Sequence, residues 1–455
     1  MNILLIATYD LGHQPFGLAS PAAWLRQAGA TVTTLDLSRT KLDTAAVRTA
    51  QLIALYLPMH TATRLATNLI PRLRRLNPNA HLAAYGLYAL PNADLLRTLG
   101  LTTLISGEFE TGLVNLYHHL QDPTTTPPPA THSLGRQNFI LPDRTSLPTL
   151  DQYTTLSLPS GETRITGYTQ ASRGCKHLCG HCPIVPVYNG RFRIIPRPIV
   201  LADIAQQVAA GAQHITFGDP DFLNGPGHAL PLVHEIHQQF PNLTYDVTIK
   251  VEHLRQHAAS LATLRDTGCL FITSAVEAMD NDILTILDKG HTRDEFIAAA
   301  THLRQLGLHL NPTFVTFTPW TTPQHYHNFL TTIADLDLIP HVTPIQYAIR
   351  LLIPAGSKLL ERQDIQDLVD PFDPQALVYP WAHPNPAMDT LYEHIFHLVK
   401  RAEKEPTTRS QFFQSVWTAT QKILDHQTAH YHQHLGHDTQ NHTVTPVPQL
   451  SESWY

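Results

Sequence analysis

Near the N-terminus the hydrophobic positions come in short unbroken runs rather than in alternation. NILLIAT (2–8) is apolar almost throughout, the pattern of a parallel strand buried on both faces. TVTTLDL (31–37), LIALYLP (52–58), HLAAYGLYA (81–89) and TTLISGE (102–108) repeat that pattern. Between the runs the spacing turns helical. In SPAAWLRQAG (20–29) Ser20 is the expected N-cap, Pro21 the first helical residue and Gly29 the stop. Five strands separated by helices, with TGLVNLYHHL closing the unit, predict a doubly wound parallel sheet of the Rossmann type over residues 1–122.

QDPTTTPPPATHSLG (121–135) is rich in Pro and Thr and reads as a polyproline linker, followed by the irregular LPDRTSLPTLDQY. Together they make residues 123–162 a bridging segment. From Thr163 the alternation resumes. Strands are expected near 164–171, 214–218, 244–251, 269–277, 309–317 and 342–350. Helices are expected near 199–211, 227–240, 254–267, 280–306 and 323–336. Six such units describe a partial (β/α)6 TIM barrel over 163–354, whose functional groups gather at the C-terminal ends of its strands. Residues 355–455 form a helical C-terminal extension, with PAMDTLYEHIFHLVKRAEK (386–404) and SQFFQSVWTATQKILDHQ (410–427) as helices before a His-rich polar tail.

Composition narrows the function classes. Charged residues make up 15% and the net charge is −6, so no global electrostatic case exists for nucleic acid or an anionic membrane surface. The start lacks a basic leader, and no apolar run reaches membrane-spanning length. Four cysteines in 455 residues form no disulfide framework, and the expected compartment is a reducing cytoplasm.

Three of those cysteines fall in ASRGCKHLCGHC (171–182), where Cys175, Cys179 and Cys182 form C-x3-C-x2-C directly after the first expected barrel strand. Structural zinc wants four closed ligands, and the fourth would have to be His177, His181 or the distant Cys269. A [4Fe–4S] cluster takes one cysteine per iron, so three cysteines leave one iron open to a small molecule. A redox thiol site is a further reading of the same spacing. Other strand ends carry polar groups too: Gly218 and Asp219 in HITFGDPDF, Thr248, Lys250 and Glu252 on one face of TYDVTIKVEH, Ser274 and Glu277 in CLFITSAVEAM, and Arg350 in QYAIRLL. Each has a structural alternative: an N-capping Asp219, a Lys250–Glu252 neighbour pair, a salt bridge for Arg350. Cys269 opens its strand and is expected to be a buried apolar filler. Trp320 either lines the pocket or packs. His228, His234 and His237 lie along one ordinary helix. His426, His430, His432, His434 and His437 have metal-compatible spacing in a solvated, His-rich tail.

The cysteine spacing, its position and the barrel pattern resemble the radical S-adenosylmethionine (SAM) superfamily. That resemblance implies a [4Fe–4S] cluster on Cys175, Cys179 and Cys182, with SAM on the open iron and an electron donor such as flavodoxin or ferredoxin. It also implies SAM contacts at Gly218, Asp219, Ser274 and Glu277, while strand-end position itself favours a SAM or substrate contact for Lys250 and a carboxylate-binding fork for Arg350. An aromatic residue is common before the third cysteine, where this chain has His181. A doubly wound domain ahead of such a barrel is similar to the cobalamin-dependent branch, and Ser106-Gly107-Glu108-Phe109-Glu110 resembles the segment that closes those domains. Cobalamin is therefore a third implied cofactor and His13, in DLGHQPFG, a possible cobalt ligand. Its D-x-H-x-x-G motif has each gap one residue too long, which leaves ligand-free binding, or a domain that holds no corrinoid, as alternatives.

SRGCKHLCGHCPIVPVYNGRFRIIPR, HITFGDPDFLNGPGHAL, LDKGHTR, FTPWTT and QYAIRLLIPAGS resemble the group named for a CUAEP/CCAEP tail. This sequence ends at PQLSESWY without that tail, which is either missing or cut at a selenocysteine codon. The reaction implied is radical formation from SAM acting on a small molecule or peptide, with cobalamin-assisted methylation leading. A cobalamin-free rearrangement, atypical SAM cleavage and a non-catalytic iron–sulfur sensor or electron carrier are the alternatives.

Overall fold

The computed structural model of the protein describes residues 1–124, 128–405, 407–428 and 447–451. The N-terminal sheet is built from β1 (Asn2–Ala7), β2 (Thr31–Asp36), β3 (Leu52–Tyr56), β4 (His81–Tyr85) and β5 (Thr103–Gly107). Helices α1 (Phe16–Gln27), α2 (Thr44–Thr49), α3 (His60–Leu76), α4 (Ala93–Thr98) and α5 (Phe109–Gln121) connect or follow them. The order is β2-β1-β3-β4-β5, all parallel, and a two-residue strand β6 (His132–Ser133) joins the β5 edge. β3 is buried along its whole length, as its unbroken apolar run requires.

One helix start differs from expectation. α1 begins at Phe16, so Ser20 and Pro21 lie inside it instead of capping it. The first turn, FGLA, is itself buried, and the Ser20 hydroxyl has a better partner than a helix end, donating to Glu110 Oε1 at 2.6 Å. Pro21 has no N–H for the carbonyl of Gly17. That carbonyl instead accepts the Tyr85 hydroxyl at 2.8 Å.

The second sheet starts with β7 (Thr155–Ser157) and β8 (Thr163–Thr169). A short antiparallel pair, β9 (Ser172–Gly174) and β10 (Phe192–Ile194), brackets α6 (Val185–Tyr188). Then follow α7 (Arg197–Ala209), β11 (His214–Phe217), α8 (Pro226–Gln239), β12 (Thr244–Thr248), α9 (Val251–Gln256) and α10 (Ala258–Asp266). β13 (Cys269–Glu277), α11 (Asn281–Ile286), α12 (Arg293–Leu306), β14 (His309–Phe314) and α13 (Pro323–Asp335) complete the alternation. α14 (Gln363–Gln366), α15 (Pro386–Ala402) and α16 (Arg409–Thr428) form the C-terminal extension, and β15 (Gln449–Leu450) returns to pair with β7. The order is β14-β13-β12-β11-β8-β7-β15, a curled, partial barrel with five parallel strands at its centre. His228, His234 and His237 sit on α8 as expected. His430, His432, His434 and His437 lie outside the described residues.

Three expectations change here. The sixth strand, 342–350, is a 3-10 turn at Pro344–Tyr347 plus a single bridge from Arg350 to Phe317. Pro344 cannot donate to a ladder, and the Gln346 side chain accepts the Phe314 N–H at 2.7 Å in its place. β12 ends at Thr248, so Lys250 stands at the N-cap of α9 and Glu252 in its first turn; Thr248, Lys250 and Glu252 do not share a strand face. The single helix expected over 280–306 is two, parted at Asp288 and Gly290, both with positive φ.

The bridging segment is a strap. Arg144 forks onto both oxygens of Asp203 in α7 at 2.8 Å and donates to Gln14 Oε1 at 2.7 Å and the Tyr168 carbonyl at 2.7 Å. It thereby joins the loop after β1 to the barrel. A second link is Arg173 in β9, 5% exposed, which donates to Glu110 Oε1 at 2.6 Å and Oε2 at 2.9 Å. The Phe16, Phe109 and Phe139 rings surround its guanidinium at 4.9–5.4 Å. Glu108 and Gln137 complete the network.

Candidate functional site at the barrel mouth

Residues 175–182 run from β9 across the C-terminal end of the barrel. Asn224 Oδ1 accepts the Lys176 N–H at 3.2 Å, and Gly180 donates its N–H to the Leu287 carbonyl at 2.9 Å. The loop is thus tied to the turns after β11 and β13. Burial, reinforced by the neighbouring thiols, pushes Cys182 up to about 12, and burial raises Cys175 as well. Thiols so placed become thiolates only when a metal supplies the compensating charge.

The donor set distinguishes the metals. Tetrahedral zinc would hold its sulfurs about 3.8 Å apart, given a Zn–S bond of about 2.3 Å. Among the described residues, the metal-capable group whose ligand atoms all lie within 4.8 Å of one another is Cys175, His177 and Asp221, not the three cysteines. Three cysteines on one loop, with Cys269 far away at the barrel base, match the ligand set of a four-iron cluster with one iron left open.

A polar network backs the loop. Asp221, 1% exposed, lies 2.6 Å from His253 Nδ1 and 3.4 Å from His177 Nε2. Glu252 Oε2 is 3.4 Å from His177 Nδ1 and 3.2 Å from Lys250 Nζ. Burial would raise Asp221, but the two imidazoles hold it below the ordinary carboxylate range. On the other side Glu277, at φ 71, sits 3.1 Å from His181 Nε2 and 3.2 Å from Lys289 Nζ. Against the effect of burial, Lys289 and His181 bring Glu277 down to about 2. His291, 6% exposed, has both ring nitrogens buried without a partner, and burial lowers it to about 4. Lys289 and His291 stand in LDKGHTR, a stretch with no assigned role in the sequence reading; the signal available was its place just after a barrel strand.

The other expected site residues are less central. A Cβ on Gly218 would fall inside the Tyr168 ring, so glycine is required there. Both oxygens of Asp219 are taken, by the Ala171 N–H at 2.8 Å and the Ser172 hydroxyl at 2.6 Å, so this side chain anchors β9. Burial raises Asp219 to about 7. Ser274 shares its strand face with Ile272 and Val276, the face packed in the main core, whereas Glu277 reaches the mouth across an irregularity after Ala275. Arg350 is held away from the cysteines by Asp389 at 2.6 Å and the Trp381 ring at 3.8 Å. Cys269 is buried at the barrel base, its thiol raised by burial. Trp320 packs outside, donating to Asp364 at 3.0 Å.

His13 faces the barrel. It is 5% exposed, stacks on Tyr168 with centroids 4.9 Å apart, and is lowered by burial to about 3. Behind it a Cβ on Gly17 would overlap the Tyr56 ring, and Tyr56, Tyr85 and Phe109 pack together at 5.1–6.0 Å. The His13 Nδ1 is buried without a hydrogen-bond partner. Next to it, burial and then Asp36 raise the Asp10 carboxyl to about 8. A raised acid stays protonated in the fold while it ionises in the unfolded chain, so stability falls as pH climbs from about 4 to about 8. Asp10→Asn is expected to match wild type at pH 4 and to gain up to ~1.4 kcal/mol per pH unit above that. Thermal unfolding across pH checks it; equal curves for both proteins would refute it.

Residues 169–333 match the model of the Radical SAM superfamily. Residues 169–333, which hold the cysteine loop and most of the barrel, are therefore a radical SAM domain, and the protein is an enzyme; that domain family works with a [4Fe–4S] cluster and SAM. The fold is also that of solved structures. The radical SAM methyltransferase TsrM from Kitasatospora setae, with tryptophan substrate and a SAM analogue bound, superposes with TM-score 0.61 at 17% identity over 79% of this chain and 75% of that one. The cobalamin-dependent radical SAM enzyme OxsB, with aqua-cobalamin bound, gives 0.65 at 12% identity over 94% and 71%. Among the described residues no helix is long and apolar enough to cross a membrane.

Proposed function

We propose that this protein cleaves SAM reductively at a cluster held by Cys175, Cys179 and Cys182 and uses the product radical to modify a small molecule or peptide. The observation that carries the proposal is the three-thiol loop at the C-terminal mouth of a partial barrel, inside the segment that matches the superfamily. When bound, the cluster supplies the electron that breaks the S–C5′ bond of SAM, giving methionine and a 5′-deoxyadenosyl radical. Lys250, Glu277, Lys289 and His291 face that position from two strand ends, those of β12 and β13. Glu277 offers an ionised carboxylate to the methionyl or ribose part of SAM, and bare Gly218 makes room for the Tyr168 phenol. The orphaned nitrogens of His291 are satisfied once a polar molecule fills the mouth. Asp219 and the His177–Asp221–His253 network hold the loop.

Methyl transfer with a corrinoid is the leading reaction, supported by the fold shared with TsrM and OxsB. Because each gap of the D-x-H-x-x-G pattern is one residue too long around His13, a corrinoid would be held here without that imidazole. A flavodoxin- or ferredoxin-type donor in a reducing cytoplasm suits the cluster.

The test is anaerobic reconstitution with and without cobalamin, measuring iron, 5′-deoxyadenosine and S-adenosylhomocysteine. Four irons per chain and 5′-deoxyadenosine are expected; neither nucleoside product with any reductant would overturn the enzymatic reading. In the same preparation His13→Ala is expected to leave the absorbance of bound cobalamin unchanged. A shift to a spectrum lacking a nitrogen ligand would show that His13 ligates after all.

A further inference from the structure

The curled sheet ends on two edges, β14 and β15, and both line one cavity of about 290 Å³. It lies toward the N-terminal ends of the strands: its walls include Phe271, residues 309–311 and the 341–346 turn. The cysteine loop crosses the opposite end, where barrel enzymes keep their chemistry. Nothing in the SAM reaction accounts for a built cavity here.

Arg409, the first residue of α16, reaches into it. Nη2 donates to Gln449 Oε1 at 3.3 Å, and Nη1 is buried with no hydrogen-bond partner. Among the described residues no carboxylate pairs with this guanidinium. Burial lowers its pKa, and the nearby Tyr347 phenol only partly opposes that. Glu403, also on the wall, is exposed and faces Lys400 at 3.9 Å. Burial lowers the pKa of His309 and of His341, which keeps both neutral at pH 7. One guanidinium is therefore the uncompensated charge. Enclosing a charge without its counter-charge is costly, and an anion removes that cost.

The rest of the wall says which anion. Phe271, Leu310, Ile345, Val399 and Val447 make much of it apolar, and the volume is at the small end of ligand pockets, about 300 Å³. Inorganic phosphate would cover none of that surface and brings more charge than one arginine matches. We infer that this cavity binds a small organic carboxylate, with its acid group on Arg409 and its apolar body against Phe271 and Leu310. The site is separate from the cysteine loop and stands or falls independently of the radical chemistry.

Phenylacetate is a suitable probe, titrated against the thermal midpoint of the full chain, with inorganic phosphate in parallel. A saturable rise with phenylacetate is expected in the wild type, weakened about tenfold or more in Arg409→Gln and less in Arg409→Lys. Val447→Trp, which fills the cavity from its rim and keeps the charge, should abolish the response and serves where Arg409→Gln fails to fold. The inference is overturned by no response up to millimolar phenylacetate, by an equal response in the variants, or by phosphate acting more strongly than phenylacetate.

Discussion

Alanine at Cys182 is expected to cut bound iron and sulfide to background and to bring 5′-deoxyadenosine down to the level of a reaction without reductant. The same is expected for Cys175 and Cys179, because in the proposed cluster each thiol would hold one iron. His181 is held by Glu277, and Cys269 lies at the far end of its strand. Cys269→Ala is the matching control: it should keep full iron content, since its thiol is a buried filler. Activity in Cys182→Ala, or iron loss in Cys269→Ala, would show that the cluster is elsewhere. Iron and sulfide analysis beside product chromatography decides between them.

The second large effect is on stability. Glu110→Ala removes the bidentate partner of Arg173 and leaves a guanidinium 5% exposed among three phenylalanine rings. Breaking one side of a buried pair costs about 3–5 kcal/mol, since the other charge stays buried. Denaturant unfolding should show that loss, while Arg173→Met with Glu110→Leu should recover most of it, because packing can replace a buried pair. Glu108 is present nearby, but its contact with Arg173 is 3.5 Å and burial raises its carboxyl, so it compensates poorly. A Glu110→Ala loss under ~1 kcal/mol would mean that the pair is solvated.

The parts legible in the sequence were those with local signals. Unbroken apolar runs mark the parallel strands, and Cys175, Cys179 and Cys182 are close in the chain, so spacing alone exposes them. Strand faces were harder. CLFITSAVE is buried on both sides, so its pattern does not say which face is the lumen, and Ser274 turns to the core while Glu277 reaches the mouth. Arg350 was expected at the end of a sixth strand that is a turn, and the Trp381 and Asp389 that hold it arrive from the C-terminal extension. His177 and Asp221 come from two different loops and His253 from α9, and only folding brings them together. Ser20 misled because its side chain answers to Glu110, 90 residues away, and not to the helix it was expected to start.

Arg173 sits two residues before Cys175 and takes its charge partner from the other domain. Among the described residues the barrel fixes β9 through Asp219 but offers its guanidinium no carboxylate of its own. Docking of the doubly wound domain supplies that charge, so each half of the chain stabilises the other at the root of the thiol loop.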